Sequence, residues 1–122
     1  MARILSVDDS KAIRELITHI LTQHNHEVIT ASDGLEAMKI VREIGAVDVA
    51  LIDVNMPNMN GVSLVSKLRR LEDYKYTPII MVTTETDEYR KNKAKSVGAT
   101  GWLSKPFTEE RLLAAVEKVI VS

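Results

Sequence analysis

The chain has 122 residues and a formal net charge of -1, so we expect one domain, residues 1–122, built around one hydrophobic core. Hydrophobic residues make up 45% and charged residues 27%, the balance of a folded globular domain rather than of a disordered segment. The near-neutral charge argues against a general nucleic-acid binder, and the absence of cysteine excludes disulfides, thiolate metal sites and cysteine nucleophiles.

Short apolar runs alternate with longer amphipathic segments along the chain. The runs, which we predict to be strands, are Ile4–Val7, Val28–Ile29, Val49–Ile52, Ile79–Val82 and a weak Trp102–Leu103. The first, third and fourth are almost continuously apolar, which is typical of strands covered on both faces in a parallel sheet.

The segments between the runs predict helices. Apolar residues recur at helical spacing in four sets: Ile13, Leu16, Ile17, Ile20, Leu21; Ala37, Ile40, Val41, Ile44; Leu64, Val65, Leu68, Leu71; and Leu112, Leu113, Val116, Val119, Ile120. Cap-type residues precede four of the helices, namely Ser10 or Asp9, Asp33, Thr86 and Thr108. The segment from Thr86 to Val97 differs, because only Tyr89, Ala94 and Val97 can form an apolar stripe. We expect low local stability there.

Alternation of strands and helices predicts an α/β fold of the (βα)5 kind, a single doubly wound five-stranded parallel sheet with right-handed crossovers. Five strands fit the order 2-1-3-4-5, one of the two common orders of such sheets. Ligands of these sheets bind outside the carboxyl ends of the strands, where the strand order reverses.

Polar residues stand at these strand ends. Asp8 and Asp9 follow the first strand, Asp53 follows the third, Thr83 follows the fourth and Lys105 follows the fifth. The expected order makes the first and third strands neighbours, so the three carboxylates share one pocket. Two such charges 4 Å apart cost roughly 4 kcal/mol, which protons or a cation must relieve.

Oxygen ligands without cysteine or a nearby histidine favour a hard cation such as Mg²⁺, Mn²⁺ or Ca²⁺, and few protein ligands suit Mg²⁺. A carboxylate beside such a cation can accept a phosphoryl group, while a lysine and a threonine hydroxyl hold the phosphoryl oxygens. Each residue alone has a plainer explanation: a helix cap for Asp8 and Asp9, a surface lysine for Lys105, and a backbone-bonded hydroxyl for Thr83. The phosphoryl-transfer interpretation depends on all of these residues occurring together at the strand ends.

The ordered set of motifs resembles the response-regulator receiver domain of two-component systems, and the stand-alone CheY-like type in particular. The motifs are Asp8-Asp9, the run Leu51–Pro57 followed by Asn60-Gly61, Val82–Glu85, Gly98-Ala99 and Lys105-Pro106-Phe107. The resemblance covers essentially the whole chain and implies the flavodoxin-like, CheY-like fold.

The resemblance also implies residue roles. Asp53 is the phosphoacceptor, Asp9 binds Mg²⁺ directly, and Asp8 binds it mostly through water. The backbone carbonyl of Asn55 is a further ligand, and Mn²⁺ is a possible substitute for Mg²⁺. The other implied roles are phosphoryl contacts from Thr83 and Lys105, a cis Lys105–Pro106 peptide bond, a third helix beginning at Gly61, and an influence of Asn55 and Glu85 on hydrolysis.

The resemblance further implies a switch, in which Thr83 turns toward the phosphoryl group and the aromatic side chain at Trp102 moves inward. The surface of the fourth helix, fifth strand and fifth helix then changes. Two residues depart from the family's usual pattern. Trp102 replaces a tyrosine or phenylalanine, and the alternative to a switch role is a partly buried residue of an edge strand. Thr84 replaces a smaller residue and narrows access to Asp53.

The implied partners are a histidine kinase or a histidine phosphotransfer protein as phosphodonor and a protein target on the switching surface. Chemotaxis is the favoured pathway type, with a phosphorelay intermediate or a phosphate sink as alternatives. The N-terminal apolar run is too short for a signal peptide, and no run reaches the roughly 18 residues of a membrane span. We therefore expect a cytoplasmic monomer that neither inserts into a membrane nor binds nucleic acid directly.

Three rival functions remain. An aspartate-nucleophile phosphatase usually needs a second aspartate two residues after its nucleophile, where this chain has Asn55. A flavin-nucleotide site would place phosphate against Asp8 and Asp9, which repel it. A receiver-like interaction module that is never phosphorylated stays open, although the full set of acidic, threonine and lysine residues argues against it. His19, His24 and His26 lie far from the strand ends and are expected to be structural.

Overall fold

The computed structural model describes residues 1–84 and 88–120, with the side chains of 88–90 outside the description. The strands are β1 (Arg3–Val7), β2 (Glu27–Ala31), β3 (Val49–Ile52), β4 (Ile79–Thr83) and β5 (Gly101–Ser104). The helices are α1 (Lys11–Thr22), α2 (Gly34–Ile44), α3 (Gly61–Leu68), α4 (Glu88–Ser96) and α5 (Glu109–Ile120), and a short 3₁₀ turn covers Glu72–Tyr74. The predicted alternation of strands and helices is confirmed.

All pairings of the sheet are parallel, in the order β2-β1-β3-β4-β5. Ile4 lies opposite Val49, and Leu51 lies opposite Ile80. The central position of β1, β3 and β4 explains why their sequences are apolar on both faces. The predicted doubly wound sheet and its strand order are confirmed.

The sheet divides the core into two layers because neighbouring strand residues point to opposite faces. Leu5 and Ile52 pack in the layer under α2, α3 and α4, whereas Ile4 and Leu51 pack in the layer under α1 and α5. Each central strand therefore contributes to both layers. Because the strands are parallel, their carboxyl ends all lie at the same edge of the sheet.

The helix starts are capped largely as the sequence predicts. Ser10, not Asp9, caps α1 by accepting the Ile13 amide, and Asp33 caps α2 by accepting the Glu36 amide. The Thr108 hydroxyl accepts the Arg111 amide in front of α5. Asn60 caps α3 in the same way by accepting the amide of Ser63, a cap that the sequence analysis did not single out.

Two details of the predicted apolar stripes are wrong. Helix α3 ends at Leu68, so Leu71 lies outside it and precedes the 3₁₀ turn. Leu16 belongs to α1 but is 44% exposed, because the buried stripe of that helix runs through Ile17, Ile20 and Leu21. Spacing alone could not distinguish the edge of a stripe from its centre.

The described side chains of α4, at positions 91–96, agree with the thin apolar face that the sequence predicts. Ala94 is buried and Val97 is half-buried, while Lys93 and Lys95 are exposed. Glu85, Thr86 and the side chain of Tyr89 lie outside the described part of the chain, so their predicted roles stay predictions. Among the described residues, no helix is both long and apolar enough to cross a membrane.

Candidate functional site

The carboxyl ends of β1 and β3 bring the acidic residues together. Val7 and Ile52 are partners in the sheet, so Asp8 and Asp53 leave the two strands side by side. The Asp53 amide donates to the Val7 carbonyl over 2.9 Å, and the Asp8 amide donates to the Ala31 carbonyl over 3.1 Å. These bonds continue the ladder past both strand ends and hold the aspartates in place.

The carboxylates of Asp8, Asp9 and Asp53 form a compact cluster. One oxygen from each lies within 4.8 Å of the others, and in the described part of the chain this is the one group of metal-ligating side chains so arranged. Asp8 and Asp53 are 2% and 5% exposed, whereas Asp9 is exposed. Two buried carboxylates and one at the rim form an oxygen-only donor set that fits a hard cation such as Mg²⁺.

Lys105 reaches this cluster from the loop between β5 and α5. Its Nζ lies 2.7 Å from Oδ2 of Asp8 and 3.6 Å from Oδ2 of Asp53. The Lys105–Pro106 peptide bond is cis, as the resemblance implies. One ammonium thus offsets part of the charge of two buried carboxylates.

The electrostatic environment of Asp53 opposes its ionisation. Burial, followed by repulsion from Asp8, raises the pKa of Asp53 to about 6. Attraction to Lys105 and a hydrogen bond from the Asn55 amide to Oδ1, 3.3 Å long, lower it in part. The carboxylate that forms near neutral pH is therefore incompletely compensated by protein groups, which favours the binding of a cation.

Thr83 is the last residue of β4 and lies at the same edge of the sheet. It is 1% exposed, and its backbone carbonyl accepts the Lys105 amide over 2.9 Å. This bond links the two residues that the sequence predicts as phosphoryl ligands. Thr84 is exposed next to it, and Asn55 is exposed at the start of the loop after β3.

Trp102 lies on β5, at the edge of the sheet, opposite Met81. It is half-buried and packs against the core layer under α4. Lys91 of α4 places its Nζ 5.6 Å from the centre of the indole ring. The predicted switch residue is thus in contact with the helix that has the thinnest apolar face.

Two contacts that the sequence did not predict support the site, and Gly61, predicted as the start of the third helix, supports it because it lacks a side chain. Arg14 donates from Nη1 to the Asp8 carbonyl over 2.6 Å, and the Ser10 amide donates to Asp8 Oδ1 over 2.9 Å. A Cβ at Gly61 would lie 2.2 Å from the Asp53 carbonyl oxygen, so only glycine allows α3 to start this close. The Asn60-Gly61 pair signalled this turn, but nothing marked Arg14 apart from other surface arginines.

The histidines take structural positions. His26 is buried, and its Nδ1 accepts the amide of Ala2 over 3.0 Å. Nδ1 of His24 lies 3.0 Å from the Ile20 carbonyl, and His19 is exposed on α1. None of the three belongs to the metal-ligating group found among the described residues.

Comparison with known proteins agrees with this geometry. Residues 4–117 match the family model described as "Response regulator receiver domain". The chain is 39% identical over 119 residues to the "Chemotaxis protein CheY homolog" of Campylobacter jejuni, covering 97% of this chain and 92% of that protein. It is 37% identical to "Protein PilH" of Pseudomonas aeruginosa over 98% of both chains. The crystallised chemotaxis protein CheY4 of Vibrio cholerae superposes with a TM-score of 0.93 at 47% identity, covering 98% of both chains.

Proposed function

The chain belongs to the response regulator receiver domain family and is a CheY-like response regulator of chemotaxis-type signalling, and we propose that Asp53 is its phosphoacceptor. A phosphohistidine of a kinase or a histidine phosphotransfer protein would be the donor. An oxygen of the Asp53 carboxylate bonds to phosphorus while the phosphorus–nitrogen bond to the imidazole breaks. The observation that carries this proposal is the buried Asp53 carboxylate beside Asp8, Asp9 and Lys105.

Asp8, Asp9, Asp53 and the backbone carbonyl of Asn55 would hold Mg²⁺, or Mn²⁺ in its place. When bound, the cation offsets the charge of the carboxylates and of the incoming phosphoryl group. The donor set supports this role because it consists of oxygens only and contains two buried carboxylates.

Lys105 and Thr83 would bind the oxygens of the phosphoryl group. The Lys105 ammonium already lies within 4 Å of both Asp8 and Asp53 and acts as a point charge toward an oxyanion. Thr83 has a hydroxyl that can donate to another oxygen, and its backbone bond to Lys105 places both residues on one side of Asp53. The contact between Lys105 and Asp8, 2.7 Å long, holds the ammonium at the entrance to the carboxylate cluster.

Phosphorylation would change the surface formed by α4, β5 and α5. A phosphoryl group on Asp53 offers Thr83 a stronger acceptor and biases the equilibrium between two arrangements of this surface. Trp102 is half-buried between the core layer and Lys91, so a shift of α4 changes its surroundings. A target protein that binds one arrangement more tightly would therefore bind according to the phosphorylation state of Asp53.

The pathway follows from the relatives and not from the site. The relatives from Campylobacter jejuni and Helicobacter pylori are named as chemotaxis proteins, which supports chemotaxis for this chain. A phosphorelay intermediate or a phosphate sink would use the same Asp53 chemistry, and transfer from aspartyl phosphate to a histidine phosphotransfer protein would distinguish the relay. We further propose a cytoplasmic monomer made of one receiver domain over residues 1–122, without direct nucleic-acid binding.

Trp102, the chain's one tryptophan, provides the test. We expect acetyl phosphate or beryllofluoride, added with Mg²⁺, to change its fluorescence, with acetyl phosphate also adding a phosphoryl mass. Asp53→Asn should abolish both responses, whereas Asp48→Asn, at an exposed aspartate before β3, should keep them. A response that survives Asp53→Asn contradicts the assignment, and the absence of both the response and the adduct in the wild type favours the unphosphorylated interaction module.

A further inference from the structure

A surface groove lies between α2 and α3, and none of the described residues that line it belongs to α4, β5 or α5. It encloses about 500 Å³. Its floor is formed by Met38 and Met59, both half-buried, and by Leu35, which is 56% exposed. Leu35 thus presents an apolar side chain to solvent beside the two methionines.

The rim of the groove is basic although the whole chain is slightly acidic. Lys39, Arg42 and Lys67 line it together with a single carboxylate, Glu43. All three cations are exposed, and none forms a salt bridge with any side chain that the structure describes. An apolar floor ringed by unpaired positive charges is complementary to an acidic, amphipathic surface.

One wall of the groove is built rigidly from the loop that follows Asp53. Asn58 donates from Nδ2 to Asp33 Oδ2 over 3.0 Å, which ties this loop to the start of α2. Met59 packs so closely on the same turn that a Cβ at Gly34 would lie 2.8 Å from its Cβ. The groove is therefore present before any partner arrives, which lowers the ordering cost of binding.

We propose that this groove binds an acidic amphipathic helix of a partner protein. The apolar side of such a helix lies on Leu35, Met38 and Met59, in the helix-in-groove manner, and flexible methionines adapt to it. Its carboxylates meet Lys39, Arg42 and Lys67 at the rim. A flat anionic membrane fits less well, because the half-buried Met38 and Met59 lie within a groove that a flat surface does not enter.

The five methionines of the chain allow a direct test by methyl NMR of protein labelled with ¹³C at the methionine methyls. The probe is a synthetic peptide of roughly four helical turns with leucines on one face and glutamates on the other. We expect the Met38 and Met59 signals to shift and saturate. Met1, which is 94% exposed, and Met81, which is buried, should not move. The same peptide with lysines in place of glutamates should not bind.

Charge reversal provides the matched control. The double variant Lys39→Glu with Lys67→Glu should weaken binding at least tenfold. Lys75→Glu with Lys118→Glu changes the net charge equally at exposed sites outside the groove and should leave the affinity within about twofold. None of these measurements uses a phosphodonor, so the docking proposal and the phosphoacceptor proposal can fail separately.

Several outcomes would overturn the proposal. One is the absence of a saturable Met38 and Met59 shift, and another is equal weakening by the two double variants. Shifts of the same signals on dilution of the protein alone would identify a second copy as the occupant. Shifts with anionic vesicles but not with the peptide would identify a lipid surface.

Discussion

At the scale of single residues, Asp53 is held in a state that costs stability. Its carboxylate is buried next to Asp8, and Lys105 compensates only part of the charge. The folded protein therefore keeps a proton on Asp53 at a pH where the unfolded chain has released it. A cation bound between the carboxylates would offset the charge that Lys105 leaves uncompensated.

We predict that Asp53→Asn stabilises the metal-free protein at neutral pH. The pKa of Asp53 rises from 3.8 to about 6 on folding, so its contribution to stability is lost as the pH rises through this window. Removal of the charge should increase the free energy of unfolding by roughly 2 to 3 kcal/mol at pH 7 and by almost nothing below pH 4. Urea unfolding in the presence of a chelator measures both values.

The control for this prediction is Asp48→Asn. Asp48 is exposed and accepts the Arg3 amide over 2.7 Å, so its replacement should not stabilise the protein at any pH. Two results would contradict burial of the Asp53 charge as the cause. One is an equal increase in unfolding free energy for both variants at pH 7, and the other is an increase for Asp53→Asn that persists at pH 4.

Lys105 should stabilise the pocket mainly when the aspartates are charged. Replacement by methionine keeps the length of the side chain but leaves Asp8 and Asp53 without their cation. We predict a loss of roughly 3 kcal/mol in unfolding free energy at pH 7 without metal, and a smaller loss near pH 4. Lys118→Met, on the exposed face of α5, should change the stability little at either pH, and an equal loss there would refute the assignment.

At the scale of secondary-structure elements, a single arginine fixes the turn at the carboxyl end of α4. Its carboxyl end is fixed by Arg69, which donates from Nη2 to the Gly98 carbonyl over 2.7 Å and from Nη1 to the carbonyls of Tyr74 and Thr77 over 2.8 and 2.7 Å. Gly98 has a φ of +110°, and a Cβ there would lie 2.9 Å from Arg69 Nε. One arginine thus ties the turn after α4 to the loop before β4, while Ala94 is the one buried residue among the α4 side chains that the structure describes.

We predict that Arg69→Ala lowers the unfolding free energy by about 3 kcal/mol, because it removes charged hydrogen bonds to three loop carbonyls. Arg69→Lys should recover only a small part, since an ammonium cannot reproduce the planar fork of the guanidinium. Arg70 is exposed next to it, and Arg70→Ala should cost less than 0.5 kcal/mol by the usual range for surface changes. Thermal or urea unfolding of the three variants measures these changes. Equal losses of unfolding free energy for Arg69→Ala and Arg70→Ala would refute the role of Arg69.

At the scale of the whole molecule, the site joins parts of the chain that are far apart in sequence. Asp8 and Lys105 are 97 residues apart, and they meet because β1 and β5 both end at the same edge of a parallel sheet. Anything that binds the cluster therefore stabilises the folded chain as a unit.

We predict that Mg²⁺ raises the melting temperature of the protein. A ligand at about 100 times its Kd adds roughly 2.7 kcal/mol to the folded state, since the unfolded chain lacks the assembled cluster. Asp9 is exposed at the rim. Asp9→Asn should therefore leave the metal-free melting temperature nearly unchanged but remove most of the Mg²⁺ effect. An undiminished Mg²⁺ effect in this variant would show that the cation binds elsewhere.

The sequence by itself determined the fold class and the strand order, and it indicated which polar residues stand at the strand ends. Continuous apolar runs such as Val49–Ile52 require burial on both faces, and Asp8, Asp53, Thr83 and Lys105 stand where parallel strands must end. Periodicity and strand-end position are local properties of the chain, so they are readable without coordinates.

Only the tertiary structure decided which groups touch. The pairing of Lys105 with Asp8, the bond from Arg14 to the Asp8 carbonyl and the tie of Arg69 to Gly98 all join residues of different elements. The end of α3 at Leu68 and the exposure of Leu16 likewise depend on which neighbours cover them. Such contacts depend on the distance between elements after packing, and hydrophobic spacing along one segment carries no information about that distance.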